Sequence, residues 1–297
     1  MTVIKALKGY IIEQKIRGNT VKTIRYYNVS IGEYIKYIGD SQLLENITLA
    51  ELNNYYMYLY DKELASSTVQ TYIRALRAFL RWCYDEEYIT INLSDKMKLP
   101  KAKMKSIDVL TDNEINILLS CFNLKYIVHL RNYCICSLML DSGLRMNEVA
   151  TLTIEHLHIN DGYAIVDGKG NKQRIVPLGL NTRKMLMRYL NRRPACVNTD
   201  IVFLMNDLRP ITNNTVQQLF KRLKDKTGVK RIHAHLLRHT FATRYLENGG
   251  DIYSLQTILG HTTLEMVKKY VHNTKNKYVS QFSNYSPLDN ILKDKKS

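Results

Sequence analysis

The sequence has no run approaching eighteen uncharged apolar residues, so no membrane-spanning helix is expected. At the N-terminus, the apolar residues of MTVIKALKGYIIEQK are broken by Lys5, Lys8 and Glu13. That pattern suits an amphipathic helix and lacks the continuous core of a secretory signal, so a cytoplasmic location is expected. Cysteine is scarce and odd in number: Cys83, Cys121, Cys134, Cys136 and Cys196, with no CxxC pair. This argues against a disulfide framework and for reduced thiols. The histidine pairs His156/His158 and His233/His235 lack carboxylate or cysteine partners at ligand spacing, so no zinc site is expected. Tandem repeats and low-complexity tracts are absent. Acidic residues are also in deficit, 27 against 43 basic, leaving a net charge of +16.

What is present suits a globular chain. Hydrophobic residues make up 45% and charged residues 24%, and 297 residues suffice for two ordinary domains. The charge points to a polyanionic partner, nucleic acid first and an acidic membrane surface second.

The first ninety residues read as helices, with apolar residues at helical spacing over Val3–Lys15, Val21–Tyr37, Leu49–Leu59 and Val69–Tyr84. In the last, Ile73, Leu76, Leu80 and Cys83 share one face, and Arg74, Arg77 and Arg81 form a second, basic stripe. Two helices open alike, Asn19-Thr20-Val21-Lys22-Thr23 and Ser67-Thr68-Val69-Gln70-Thr71. Asn19 and Ser67, or the threonine after each, are N-cap candidates, and such helix starts also hold phosphates. Residues 94–106, SDKMKLPKAKMKS, read as a basic linker in which Pro100 disfavours a helix just before it.

A second domain opens with the capping box Thr111-Asp112-Asn113-Glu114. Helices are predicted over Tyr126–Leu140 and Met146–Leu152. β-like segments follow at Ile154–Ile159, Tyr163–Val166 and Arg174–Pro177, separated by turn signals. Helices resume over Thr182–Leu190, Val216–Lys226, Arg238–Asn248, Ile252–Leu259 and Thr263–Tyr270. The predicted fold class is mainly α with a small antiparallel β-sheet, in two domains.

Four segments of this second half supply the parts of one reaction: Gly143-Leu144-Arg145, Gly168-Lys169-Gly170-Asn171-Lys172, His235-Leu236-Leu237-Arg238-His239, and Leu259-Gly260-His261 followed by Tyr270. Cutting a phosphodiester without a metal needs permanent positive charge on the phosphate, which guanidinium groups supply in bidentate form. It also needs a nucleophile, a base to take its proton and an acid for the departing sugar oxygen. Two arginines, two histidines, a lysine and a tyrosine cover these roles. No acidic cluster of the two-metal kind lies nearby. Each element alone is commonplace, since Tyr270 is one of 21 tyrosines and a Gly-Lys-Gly-Asn-Lys hairpin is first of all a turn.

Together these motifs make the sequence similar to the tyrosine recombinase family of phage integrases and Xer proteins, over residues 1–285. Thr68, Thr71, Tyr72, Leu76, Phe79 and Trp82 resemble that family's core-binding helix. The resemblance implies a DNA clamp built from a helical, SAM-like core-binding domain (1–93), the basic linker (94–106), a mixed catalytic domain (107–285) and a tail (286–297). It implies that Arg145 and Arg238 grip the scissile phosphate, Lys169 protonates the leaving 5′ oxygen, His235 is the general base and His261 bonds the phosphate. Tyr270, nine residues after His261, is then the nucleophile, ahead of Tyr278 and Tyr285, and Glu148 buttresses the site. Lys172 is the rival for the acid's role. A phenol has a pKa of about 10, and Arg145 and Arg238 are expected to favour its phenolate.

The implied activity is site-specific recombination through a 3′-phosphotyrosyl link, with no cofactor, metal or ATP. The implied partner is a double-stranded DNA recombination site, bound by a homo-tetramer that is a monomer or weak oligomer when free. In that assembly Leu288, Ile291 and Leu292 of the tail dock on a neighbouring protomer. DNA contacts are expected from Thr20, Thr23, Thr68, Thr71, Arg74, Arg77, Arg81, Lys101, Lys103, Lys172, Thr212, Thr215 and Lys221. A non-cleaving DNA-binding regulator is the alternative from another class, and type IB topoisomerase activity is a chemical neighbour. The chain opens on its core-binding helices without an arm-binding domain, which favours a simple recombinase for resolution, inversion or small-element integration.

Overall fold

A computed structural model of the chain describes residues 1–100, 108–168, 172–195 and 198–271. Its contacts divide it into two compact units, Met1–Lys105 and Ser106–Ser297. Among the described residues, no helix is long and apolar enough to cross a membrane.

The first unit is built from four helices, α1 (Val3–Ile16), α2 (Val21–Ile38), α3 (Leu49–Asp61) and α4 (Ser66–Asp85). The predicted apolar face of α4 forms its centre: Ile73, Leu76, Leu80 and Cys83 are almost wholly inaccessible. Burying each large aliphatic chain of this kind contributes about 1.5–3 kcal/mol. Aromatic rings fill the space between helices, with Tyr10 centred 5.6 Å from Phe79 and Tyr34 4.9 Å from Tyr55. Thr20 caps α2 as expected, its hydroxyl accepting from Thr23 N. The expected cap of α4 is corrected: the helix begins at Ser66 with Ala65 as N-cap, so Ser67 and Thr68 lie inside its first turn. Residues 94–100, expected as linker, instead pack on this unit. Ser94–Lys96 form a 3₁₀ turn, Ser94 and Met97 are buried, and Gln70 donates to the Pro100 carbonyl at 2.6 Å.

The second unit surrounds a central helix. α5 (Asp112–Ser120), opened by the Thr111–Glu114 capping box, precedes α6 (Ile127–Asp141) and the short α7 (Met146–Ala150). β1 (Leu157–His158), β2 (Tyr163–Asp167) and β3 (Gln173–Pro177) form one antiparallel sheet in the order β1-β2-β3. Five helices follow: α8 (Leu180–Leu190), α9 (Asn213–Thr227), α10 (Ala234–Glu247), α11 (Ile252–Leu259) and α12 (Glu265–Val271). α6 is buried around most of its circumference and packs on α8 and α10. Its Cys134 thiol is pushed up to about 12 by burial. Cys83, Cys121, Cys134 and Cys136 are free thiols, and Cys196 lies outside the described residues.

Other boundaries also differ from expectation. β1 is two residues long because the chain just before it pairs elsewhere, Ile154 N donating to Asp200 O. α10 begins four residues before Arg238, since Leu236 and Leu237 are already core residues. α12 begins at Glu265 because Thr263 closes a turn with Met266.

Candidate active site

The site is assembled from the N-terminus of α7, the stem of the β2–β3 hairpin, one face of α10, the C-terminus of α11 and the end of α12. Its pivot is Glu148. This carboxylate is 4% exposed and accepts four bonds: Arg145 N at 2.7 Å, Arg145 Nη1 at 2.8 Å, and Arg174 Nη1 and Nη2 at 2.8 and 2.9 Å. Arg238 Nη1 lies 4.0 Å away. Burial pushes the Glu148 carboxyl up, but the bonds from Arg174 and Arg145 outweigh it and hold the group below the ordinary carboxylate range. Three guanidinium groups around one carboxylate leave the site positive, which suits a phosphate.

Each arginine is also tied to backbone. Arg238, in α10, donates to the carbonyls of Gly143 and, at 2.6 Å, Leu259, and its Nη2 lies 3.2 Å from His261 Nε2. Burial, then the neighbouring Arg145, lower its pKa to about 10, which still leaves it charged at neutral pH. Arg145 Nη2 donates to Gly260 O at 3.3 Å, and Arg174 Nε to Ile258 O at 2.7 Å. The α11 C-terminus thus has its spare carbonyls satisfied by the arginines that form the site. Two glycines permit this. Gly143 (φ +66°) turns the chain from α6 into α7, where a Cβ would meet the Phe241 ring at 2.4 Å. Gly260 (φ +60°) ends α11 in the left-handed conformation, against Arg174.

Arg145, Glu148, Gly168, Lys172, Arg174 and His261 line one cavity of about 670 Å³. The hairpin stem, closed by Gly168 N donating to Lys172 O at 2.8 Å, therefore brings Lys172 to the same space as Arg145 and His261. Lys169 lies outside the described residues, as do Lys101, Lys103, Tyr278, Tyr285, Leu288, Ile291 and Leu292.

Tyr270, in α12, is 1% exposed, and its Oη lies 2.8 Å from His239 Nδ1. His235 is exposed in the first turn of α10, with its ring centroid 6.5 Å from that of His239. The expectation for the phenol is corrected. Arg238 and Arg145 do pull its pKa down, but desolvation by burial is larger, and the net shift is upward. Two residues here were given no role from sequence. His239 lies within the His235–His239 motif and has no local signal of its own. Arg174 stands on the same side of β3 as the buried Val176, so a charge on the inward parity of a strand was its signal.

The other expected contacts scatter over surfaces. In the first unit Thr20, Thr71, Arg74 and Arg81 are exposed, and Thr23, Thr68 and Arg77 half-buried. Arg74, Arg77 and Arg81 line a shallow groove of about 420 Å³ with Ser94 and Asp95. Arg77 Nε donates to Ser94 O at 3.0 Å, and Arg81 pairs with Asp85 at 2.9 Å, so both have structural partners as well. The Thr71 hydroxyl donates to Ser67 O within its own helix. In the second unit Thr212 and Thr215 cap α9 reciprocally, while Asn213 reaches Asn147 at 2.8 Å and Lys221 is exposed. Among the described residues, no group of three metal-ligating side chains occurs.

The sequence profile of the Phage integrase SAM-like domain matches residues 2–99, and that of the Phage integrase family matches residues 108–277, more than half the chain. Tyrosine recombinase XerD of Halalkalibacterium halodurans is 28% identical over 96% of this chain and 99% of its own length. Tyrosine recombinase XerC of Pediococcus pentosaceus is also 28% identical, over 97% and 98%. Among solved structures, the XerH site-specific recombinase bound to palindromic difH substrate in a post-cleavage complex is similar with a TM-score of 0.74. It is 22% identical, covering 92% of this chain and 82% of that one. A lambda integrase dimer bound to a COC′ core site gives a TM-score of 0.74 at 20% identity, covering 91% and 95%. At these identities the solved structures speak for the fold, and the sequence profiles, which span both units, speak for descent. The chain belongs to the phage integrase family, the tyrosine recombinases.

Proposed function

We propose that the chain is a site-specific recombinase that cuts and rejoins duplex DNA through a 3′-phosphotyrosyl bond at Tyr270. The observation that carries this reading is the convergence of Arg145, Arg238 and His261 on one positive site, with the Tyr270 phenol held by the same helix that carries Arg238. Arg145 and Arg238 neutralise the charge that grows on the phosphate in the transition state. Tyr270 Oη attacks, a lysine of the hairpin (Lys169 by family resemblance, with Lys172 as its rival on the cavity wall) protonates the departing 5′ oxygen, and the 5′ hydroxyl of a second DNA reverses the step. The covalent link keeps the bond energy, so ATP and metal have no task in the reaction.

The same proposal assigns residues 1–93 to a core-binding domain and 107–285 to a catalytic domain, the two clamping the duplex, with the active assembly a tetramer. Support for assembly on DNA comes from the lambda integrase, which is a dimer on its core site in the structure this fold resembles. The test is covalent trapping. Wild type should form a denaturation-resistant adduct with nicked DNA carrying its target site, in the presence of chelator, and should exchange strands between two DNAs. Tyr270→Phe should bind and form none. Adduct in the Phe variant, or its loss with chelator in wild type, would sink the reading. Binding without any adduct would favour a non-cleaving regulator.

A further inference from the structure

α10 carries two histidines one turn apart, and family resemblance gives the first, His235, the base's role. The ring that reaches the nucleophile's oxygen is the second, with His239 Nδ1 2.8 Å from Tyr270 Oη and the ring centroids 5.6 Å apart. We propose that His239 receives the phenol proton when Tyr270 attacks the phosphate, which makes it a further catalytic residue of this reaction. The inference rests on the reading of Tyr270 as nucleophile.

Geometry argues for it first. A proton acceptor must lie within about 2.6–3.2 Å of the atom it deprotonates, and His239 meets that distance before any DNA is bound. Burial keeps the phenol protonated at neutral pH, so it has a proton to give, and in the tautomer that carries the ring proton on Nε2 the facing Nδ1 accepts it. Two successive residues of α10 meet two demands. Arg238 is aimed at the phosphate site through Gly143, Leu259 and His261, and His239, the next residue, is aimed at α12. His235 is exposed a turn earlier, a position suited to a phosphate oxygen arriving from solvent rather than to a buried hydroxyl.

The step balances. The Oη–P bond forms as the P–O5′ bond breaks. The phenol proton passes to Nδ1, giving an imidazolium, and the 5′ oxygen takes its proton from the hairpin lysine. On religation the imidazolium returns its proton to the tyrosyl oxygen.

The experiment uses the full chain and two nicked substrates carrying its target site, one with the ordinary 5′ oxygen and one with a bridging sulfur there, a leaving group that needs no acid. His239→Asn keeps an acceptor near the position of Nδ1 but cannot take up the proton, and His239→Ala removes it. Both variants should bind DNA like wild type and form adduct about 10²-fold more slowly on both substrates. Added imidazole should speed His239→Ala and leave wild type unchanged. A wild-type rate for His239→Asn, a loss cured by the sulfur substrate, or no gain from imidazole in His239→Ala would each overturn the assignment. Absence of adduct from wild type itself would instead overturn the recombinase reading.

Discussion

At the scale of single residues, Glu148 holds the site together. Among the described residues, it is a buried anion whose charge is balanced by Arg145, Arg174 and Arg238. Removing its charge leaves Arg174, which is 9% exposed, and Arg238, 5% exposed, without their counter-ion. Breaking a buried pair in this way costs about 3–5 kcal/mol, and Glu148→Gln should lose that order of stability in denaturant unfolding. The pH dependence has a definite sign. The folded carboxyl is held below its ordinary value of about 4.3, so its stabilisation is fully present above that value and is lost as pH falls through the lower, folded one. Glu148→Gln should therefore show a weaker loss of stability on acidification than wild type. Equal acid limbs in the two proteins would contradict this role for the carboxylate. Much of this was legible beforehand. Arg145, Glu148 and His261 could be placed from their motifs, because each motif fixes its residue next to a turn or helix end, and Arg238 from its spacing to His235. Arg174 and His239 could not, because their partners lie 26 and 31 positions away and no local pattern reports such a pairing.

At the scale of elements, helix ends and a hairpin stem set Arg145, Arg174 and His261 around the carboxylate, while α10 carries Arg238 and His239 in its body. Arg145 is the N-cap of α7, Gly260 is the C-cap of α11, and the hairpin stem closes between Gly168 and Lys172. Gly143 makes the first of these turns possible. Gly143→Ala would combine a strained positive φ with a Cβ driven into the Phe241 ring, and overpacking of that kind costs about 1–3 kcal/mol. The backbone shift would also move the carbonyl that Arg238 grips. The expected outcome is a lowered Tm together with slower adduct formation, and an unchanged Tm would refute the steric argument. Element types were legible from periodicity, since α2, α4 and α9 each bury one clear face. Boundaries were less so. The start of α10 was set too late, at Arg238, because the burial of Leu236 and Leu237 that draws them into helix is tertiary.

At the scale of the whole molecule, the net charge of +16 and the positive catalytic site make the same demand on a partner. If the two units clamp a duplex, binding should weaken steeply with salt, with a log–log slope of about −0.9 for every phosphate neutralised. Reversing charge at Arg74 or Lys221 should flatten that slope, and a weak salt dependence in the wild type would argue against a clamp. Charge and the order of the motifs made a DNA enzyme legible in the sequence. The upward shift of the phenol's pKa was not, because burial, which outweighs the arginines at Tyr270, is a property of the folded chain. The most direct test of the account is to trap the protein on nicked target DNA, digest the adduct and locate the phosphotyrosyl residue by mass spectrometry. The expected result is a DNA 3′-phosphoryl group on Tyr270 and none in the Tyr270→Phe protein. The same modification on Tyr278 or Tyr285, with Tyr270 unmodified, would contradict it.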